Sequence, residues 1–205
     1  MALQGTRTPV LVVLGGLPAT GKSTVAAVLV RRTGFAFVRV DRIEQAIIAS
    51  TELEQPLGPV GYMIAYEMAG EQLAHGVSVV AESVNPLAIT RNAWRDVAAS
   101  RGAGLVEVEL ICSDAAAHRH RAQSRHVDVP GLKPPEWAQI TGREYEPWDR
   151  DHLVIDTAIQ TPDDAAAAIA GAVGQASHHV PADRAESPRP GVTCGGGPWR
   201  WPHWR

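Results

Sequence analysis

The densest concentration of chemistry in the chain is Gly16-Leu17-Pro18-Ala19-Thr20-Gly21-Lys22-Ser23, a G-x-x-x-x-G-K-S spacing between an apolar run and a helical pattern. Glycines at both ends of such a loop let the main chain curl until successive N–H groups converge on a phosphate, at the positive end of the helix that begins near Lys22. Lys22 is then expected to bridge the β- and γ-phosphates of a nucleoside triphosphate, Ser23 to ligate Mg²⁺, and Thr24 to reach the α-phosphate. Lys22 and Lys133 are the only lysines of an arginine-rich chain. The loop alone does not separate a kinase from an ATPase or a GTPase, because all three need the same cradle.

Further candidates stand where other apolar runs end. Phe35 to Val40 is followed by Asp41, which would face the γ-phosphate as the base that accepts a hydroxyl proton, or would N-cap the helix after it; both roles are open at this point. Val77 to Ala81 is followed by Glu82, placed to hold the metal's water shell or to accept a bond from Ser23, with Asn85 and Arg91 expected within reach of the same cleft. Beyond the next run, Arg121 and Arg125 are four residues apart and share a helix face that projects two guanidinium groups toward the triphosphate. The segment after them, His126 to Pro135, reads as a mobile lid that would exclude water. His118 and His120 point in different directions on that helix and receive no metal.

These positions require a scaffold that gathers strand ends. Short β-branched runs at Val10 to Leu14, Phe35 to Val40, Val77 to Ala81, Leu105 to Cys112 and Leu153 to Asp156 alternate with helical patterns, as parallel strands with crossover helices do. Helices are expected at Lys22 to Thr33, Arg42 to Ala49, Val60 to His75, Pro86 to Arg101, Asp114 to Arg125, Pro135 to Tyr145 and Pro162 to Val173. Such a chain forms an open α/β sheet whose ligands sit at the carboxyl ends of the strands. With 205 residues, 45% of them hydrophobic, it can bury one substantial core. Its net charge of −3 offers no general attraction for nucleic acid or an anionic membrane. Cys112 and Cys194 lack metal-ligand spacing, Val10 to Leu14 is too short to span a membrane, and no signal peptide is evident, so a reduced, cytoplasmic protein is expected. From Ser177 onward, prolines, a glycine run and Trp199, Trp201 and Trp204 read as a disordered tail.

Together the loop, Val40-Asp41-Arg42, Glu82-Ser83-Val84-Asn85-Pro86 with Arg91 and Trp94, and Arg121-Ala122-Gln123-Ser124-Arg125 resemble the P-loop kinase superfamily. Within it they are most similar to the AAA-domain kinases that include the kinase domain of phage polynucleotide kinase. The resemblance runs from about Val10 to Asp156. It implies a P-loop NTPase three-layer sandwich over residues 1–176, with a five-stranded parallel sheet in order 2-3-1-4-5 and a helical lid over about 118–135. It also implies ATP and Mg²⁺ as cofactors, Asp41 as base, Arg125 on the transferring phosphate and Arg121 near the nucleotide. Glu44 stands where polynucleotide kinase carries an arginine for its substrate's phosphate, and would repel one. Small-molecule kinases such as chloramphenicol phosphotransferase and gluconate kinase share the general plan, and Glu44, Glu52, Glu54 and Glu67 would suit hydroxyls or amines. The expectation is an ATP-dependent kinase of a small-molecule hydroxyl. The alternatives are a 5′-hydroxyl nucleic-acid kinase and a non-catalytic ATP-binding protein whose tail recruits a partner.

Overall fold

The computed structural model describes residues 8–54, 56–124, 131 and 134–177. Arg125, residues 126–130, 132 and 133 of the expected lid, and all but the first residue of the expected tail lie outside them. Five strands, β1 Val10–Gly15, β2 Ala36–Arg39, β3 Val79–Glu82, β4 Gly104–Ile111 and β5 Leu153–Asp156, alternate with helices α1 Lys22–Thr33, α2 Val40–Ser50, α3 Val60–Ala74, α4 Ala88–Ser100, α5 Ala115–Ser124, α6 Trp137–Thr141 and α7 Pro162–Ala176. All strand pairs are parallel and the order is β2-β3-β1-β4-β5, the P-loop NTPase arrangement.

The central strand explains the layering. Every residue of β1 is buried, so its run of valines and leucines serves two cores at once. Val10, Val12 and Leu14 pack with Val25, Leu29 and Ile169 of α1 and α7. Leu11 and Val13 pack with Tyr66, Leu73 and Trp94 of α3 and α4 on the opposite face. Successive side chains alternate across a strand, and this period of two builds three layers from one sheet.

Register then sets the site. Leu14 of β1 pairs with Glu82 of β3, which pairs in turn with Arg39 of β2, so the three strands end in one row at the carboxyl edge. The phosphate loop leaves β1 just past that row, and α2 begins directly after Arg39.

Several boundaries differ from the sequence pattern. α2 starts at Val40 rather than Arg42, because Val40 is buried in the core beside α3 and takes the chain straight from strand into helix. β3 starts two residues late, since Val77 caps α3 with a hydrogen bond to the Gln72 carbonyl. α4 starts at Ala88 because Asn85, at φ 55°, turns the chain first. α6 covers only five residues, closed by Gly142, and just past the expected end at Tyr145 the chain is pinned by the Glu146 N–H bond to the Pro86 carbonyl and the Arg91 bond to the Glu146 carbonyl.

Candidate active site

The phosphate loop is shaped by contacts that no side chain at its glycines would permit. Gly16 has φ 133°, and a Cβ there would run into the Leu110 carbonyl of β4. Gly21 N-caps α1 at φ 92°. Both are conformations that glycine alone adopts without strain. The buried Lys22 donates from Nζ to the Gly16 and Leu17 carbonyls, each at 2.8 Å. A hydroxyl outside the loop, Thr157 Oγ1 just after β5, donates to the Thr20 carbonyl at 2.9 Å.

The cleft beside the loop, about 1270 Å³, is lined by Lys22, Ser23 and Thr24 of the loop and α1, by Arg121, and by Asp41, Glu44, Glu54, Tyr62, Glu136 and Arg143. Such a volume accommodates a nucleotide and a small molecule together. Among the residues expected at the phosphates, Gly16 is buried and Leu17 half-buried, neither lining the cleft, while Pro18, Ala19 and Gly21 line it; Thr20 is buried and donates its hydroxyl to the Leu17 carbonyl.

Glu82 links the start of α1 to the end of β2. Its Oε1 accepts from Ser23 Oγ at 2.6 Å and its Oε2 forms an ion pair with Arg39 Nε at 3.4 Å. The side chain is 4% exposed. Burial raises its pKa above the ordinary carboxylate value; Arg39, Lys22 and the Ser23 bond oppose that rise, and the charge of Asp41 adds to it. Glu82 Oε2 lacks a hydrogen-bond partner among the described residues. The Ser23 hydroxyl and the Glu82 carboxylate are oxygen donors of the kind that suits Mg²⁺.

Asp41 lies in the first turn of α2, where Arg39 occupies the N-cap position with no side-chain cap bond. The capping role that the sequence left open is therefore not the one Asp41 takes in the structure. Its carboxylate borders the cleft, with Glu44 three residues on, on the same helix face. Tyr62, which is buried, accepts from the Asn85 N–H at 3.0 Å, and desolvation above all, with Glu44 and Asp41 contributing, pushes its hydroxyl up to about 12. A Cβ on Gly61 would overlap the Glu44 side chain, so the bare α3 backbone is what gives Glu44 its place.

Three expectations are corrected here. Glu52 and Glu67 are exposed and stand outside the cleft; Glu67 is on the outward face of α3. Arg91 does not reach the cleft either. It is fully buried, donates to the Glu146 carbonyl at 2.9 Å and stacks over Trp148 at 4.7 Å, fixing the strand-entry segment instead. Asn85 is likewise buried away from the cleft. Arg121 lines the cleft with its guanidinium anchored: it donates to Thr157 Oγ1 at 2.8 Å and to the Thr157 carbonyl at 2.9 Å, beside Gly21. Arg125 lies outside the described residues.

Sequence reasoning missed Thr157, although it follows the end of β5 and the strand-end rule that found Asp41 and Glu82 would have found it. Glu136, Gln139 and Arg143 of the α6 region were missed for want of any motif. Among the described residues, no helix is long and apolar enough to cross a membrane.

Comparison with known proteins places this geometry. Residues 11–134 match a family model described as an AAA domain. No curated protein sequence matches the chain significantly. Among solved structures, a candidate kinase from Chloroflexus aurantiacus superposes with a TM-score of 0.68 at 17% identity, covering 84% of this chain and 100% of that one. The Mycobacterium tuberculosis APS kinase, solved with AMPPNP and APS, gives 0.63 at 18%, covering 82% and 98%. A gluconokinase from Sinorhizobium meliloti gives 0.56 at 20%, covering 82% and 96%. At these identities the likeness is one of fold.

Proposed function

The chain belongs to the AAA-domain family, and from that premise we propose that it is an ATP-dependent kinase transferring the γ-phosphate to a hydroxyl of a small molecule. One observation supports the reading: Asp41 and the phosphate loop line a single cleft, which Glu82, bonded to Ser23, also lines. A pure nucleotide switch has no use for a carboxylate at the attack side, whereas a kinase needs one to take the hydroxyl proton. APS kinase and gluconokinase, whose names give hydroxyl-bearing small molecules as acceptors, have the same fold.

In this reading Lys22 and the loop N–H groups hold the β- and γ-phosphates, Thr24 serves the α-phosphate, and Arg121 serves the nucleotide side. Ser23 would hold Mg²⁺, with Glu82 bonded to it in support; when bound, the ion would supply charge neutralisation for phosphoryl transfer. Asp41 orients the acceptor hydroxyl and accepts its proton. Arg125 is proposed, from the family pattern alone, to act on the transferring phosphate. Glu44 and Glu54 at the acceptor end favour a neutral or amine-bearing polyol over a phosphorylated nucleic-acid end. The cytoplasm, which supplies ATP and keeps the free Cys112 thiol reduced, is the proposed compartment.

The test is Asp41→Asn. Phosphoryl transfer should fall by about 10²- to 10⁴-fold, the range of general-base catalysis, while the Kd for ATP stays within about twofold. Equal loss of both would remove Asp41 from the base role. Activity is read as ADP release above background in a screen of hydroxyl compounds, with a 5′-hydroxyl oligonucleotide among them to decide the nucleic-acid alternative.

A further inference from the structure

The mechanism above leaves one buried titratable side chain beside the phosphate loop without a role. His118, on α5, is 8% exposed, and its Nε2 lies 2.8 Å from the Pro18 carbonyl. A carbonyl only accepts, so Nε2 must carry the proton. The indole of Trp137, the first residue of α6, meets the imidazole edge-on at 5.1 Å and 90°, which fixes the ring plane.

A trans peptide is planar and points its C=O and N–H in opposite directions. Pulling the Pro18 carbonyl toward His118 therefore turns the Ala19 N–H away from it, into the cleft that Ala19 lines. Ala19 has φ 65°, a left-handed conformation that a non-glycine residue keeps only when its surroundings enforce it. Among the described residues no main-chain carbonyl accepts the Ala19 N–H. The Thr20–Gly21 peptide is set in the same manner by Thr157, which donates to the Thr20 carbonyl and is held by Arg121.

We propose that His118 is a positioning residue for phosphate binding: by donating to the Pro18 carbonyl it holds the Ala19 N–H as a preformed phosphate donor, with Trp137 as its backstop. The inference rests on the nucleotide-binding part of the function proposed above. It makes α5 more than an arginine carrier, because His118 and Arg121, one turn apart, each set one peptide of the loop.

The experiment compares His118→Phe, which keeps a ring against Trp137 and removes the donor, with His118→Gln, which offers an amide N–H near the Nε2 position. Binding of ATP and of inorganic tripolyphosphate is measured by calorimetry, so no acceptor is needed. H118F should weaken both ligands by the same factor, about tenfold for one lost hydrogen bond, and H118Q should stay within about threefold of the parent. Loss for ATP but not tripolyphosphate would place His118 on the base side and overturn the proposal, as would unaltered binding by H118F. Should H118F not melt cooperatively, ¹⁵N NMR of the unsubstituted protein decides: a proton on Nε2 supports the proposal, and a neutral ring protonated only on Nδ1 overturns it. An unsubstituted protein that binds neither ligand would overturn the nucleotide-binding premise itself, a result distinct from tight binding by both proteins.

Discussion

The two sides of the proposed reaction are built by different means. On the proposed phosphate side the working groups would be main-chain N–H donors, and side chains bond to carbonyls of the loop: Lys22 to Gly16 and Leu17, Thr157 to Thr20 and His118 to Pro18. On the proposed acceptor side the working groups would be side chains, Asp41, Glu44 and Glu54, carried on one helix and the loop after it. A main-chain site tolerates almost no substitution at the positions that shape it. A side-chain site can change ligand by changing residues, while the fold stays as it is.

That contrast orders the expected effects of mutation. Lys22→Ala, measured as ADP release at saturating acceptor, should lower kcat by about 10²- to 10³-fold, as loss of a preorganised transition-state charge does; a change confined to KM would break the assignment. Gly16→Ala should cost about 3 kcal/mol or more in urea unfolding, because strain at φ 133° adds to a clash with strand backbone. At the acceptor end, Glu54→Ala should raise the acceptor's KM about tenfold, the worth of one charged hydrogen bond, with the KM for ATP unchanged. Glu67→Ala, on the outward face of α3, serves as its control and should leave both constants and the unfolding free energy within about 0.5 kcal/mol.

Glu82, which links α1 to β2, yields a pH test. Its folded pKa is raised, so the native state binds more protons than the unfolded chain, and stability falls as pH climbs from the unfolded value of about 4.5 through the folded one. Glu82→Gln lacks this loss. Its Tm relative to the unsubstituted protein should therefore rise with pH, by about 2–4 °C for each kcal/mol involved, even as activity drops. A Tm difference that shrinks with pH would mean that Arg39 and Ser23 outweigh burial.

The parts legible in sequence were those set by local pattern. The loop glycines, Lys22 and Ser23 stand at fixed spacings between a strand and a helix, and the alternation of strands with helices implied the parallel sheet whose order the structure shows. Asp41 and Glu82 were found because they end apolar runs. Arg91 was misplaced because a strand-end neighbourhood does not say which way a helix face turns; its helix points it at Trp148, fifty-seven residues later in the chain. Glu67 failed for the same reason, and Glu52 lies past the end of α2 in an exposed bend.

By itself, then, the sequence determined that a triphosphate cradle lies at the carboxyl edge of a parallel sheet, because period and spacing are properties of neighbouring residues. Tertiary structure alone decided how that cradle is held and what faces it. The bonds from His118 and Thr157 to the loop close across gaps of 100 and 137 residues, and the register of β1, β3 and β2 aligns Leu14, Glu82 and Arg39 in one row. No periodicity encodes such distances; they follow from which faces of the sheet the helices bury.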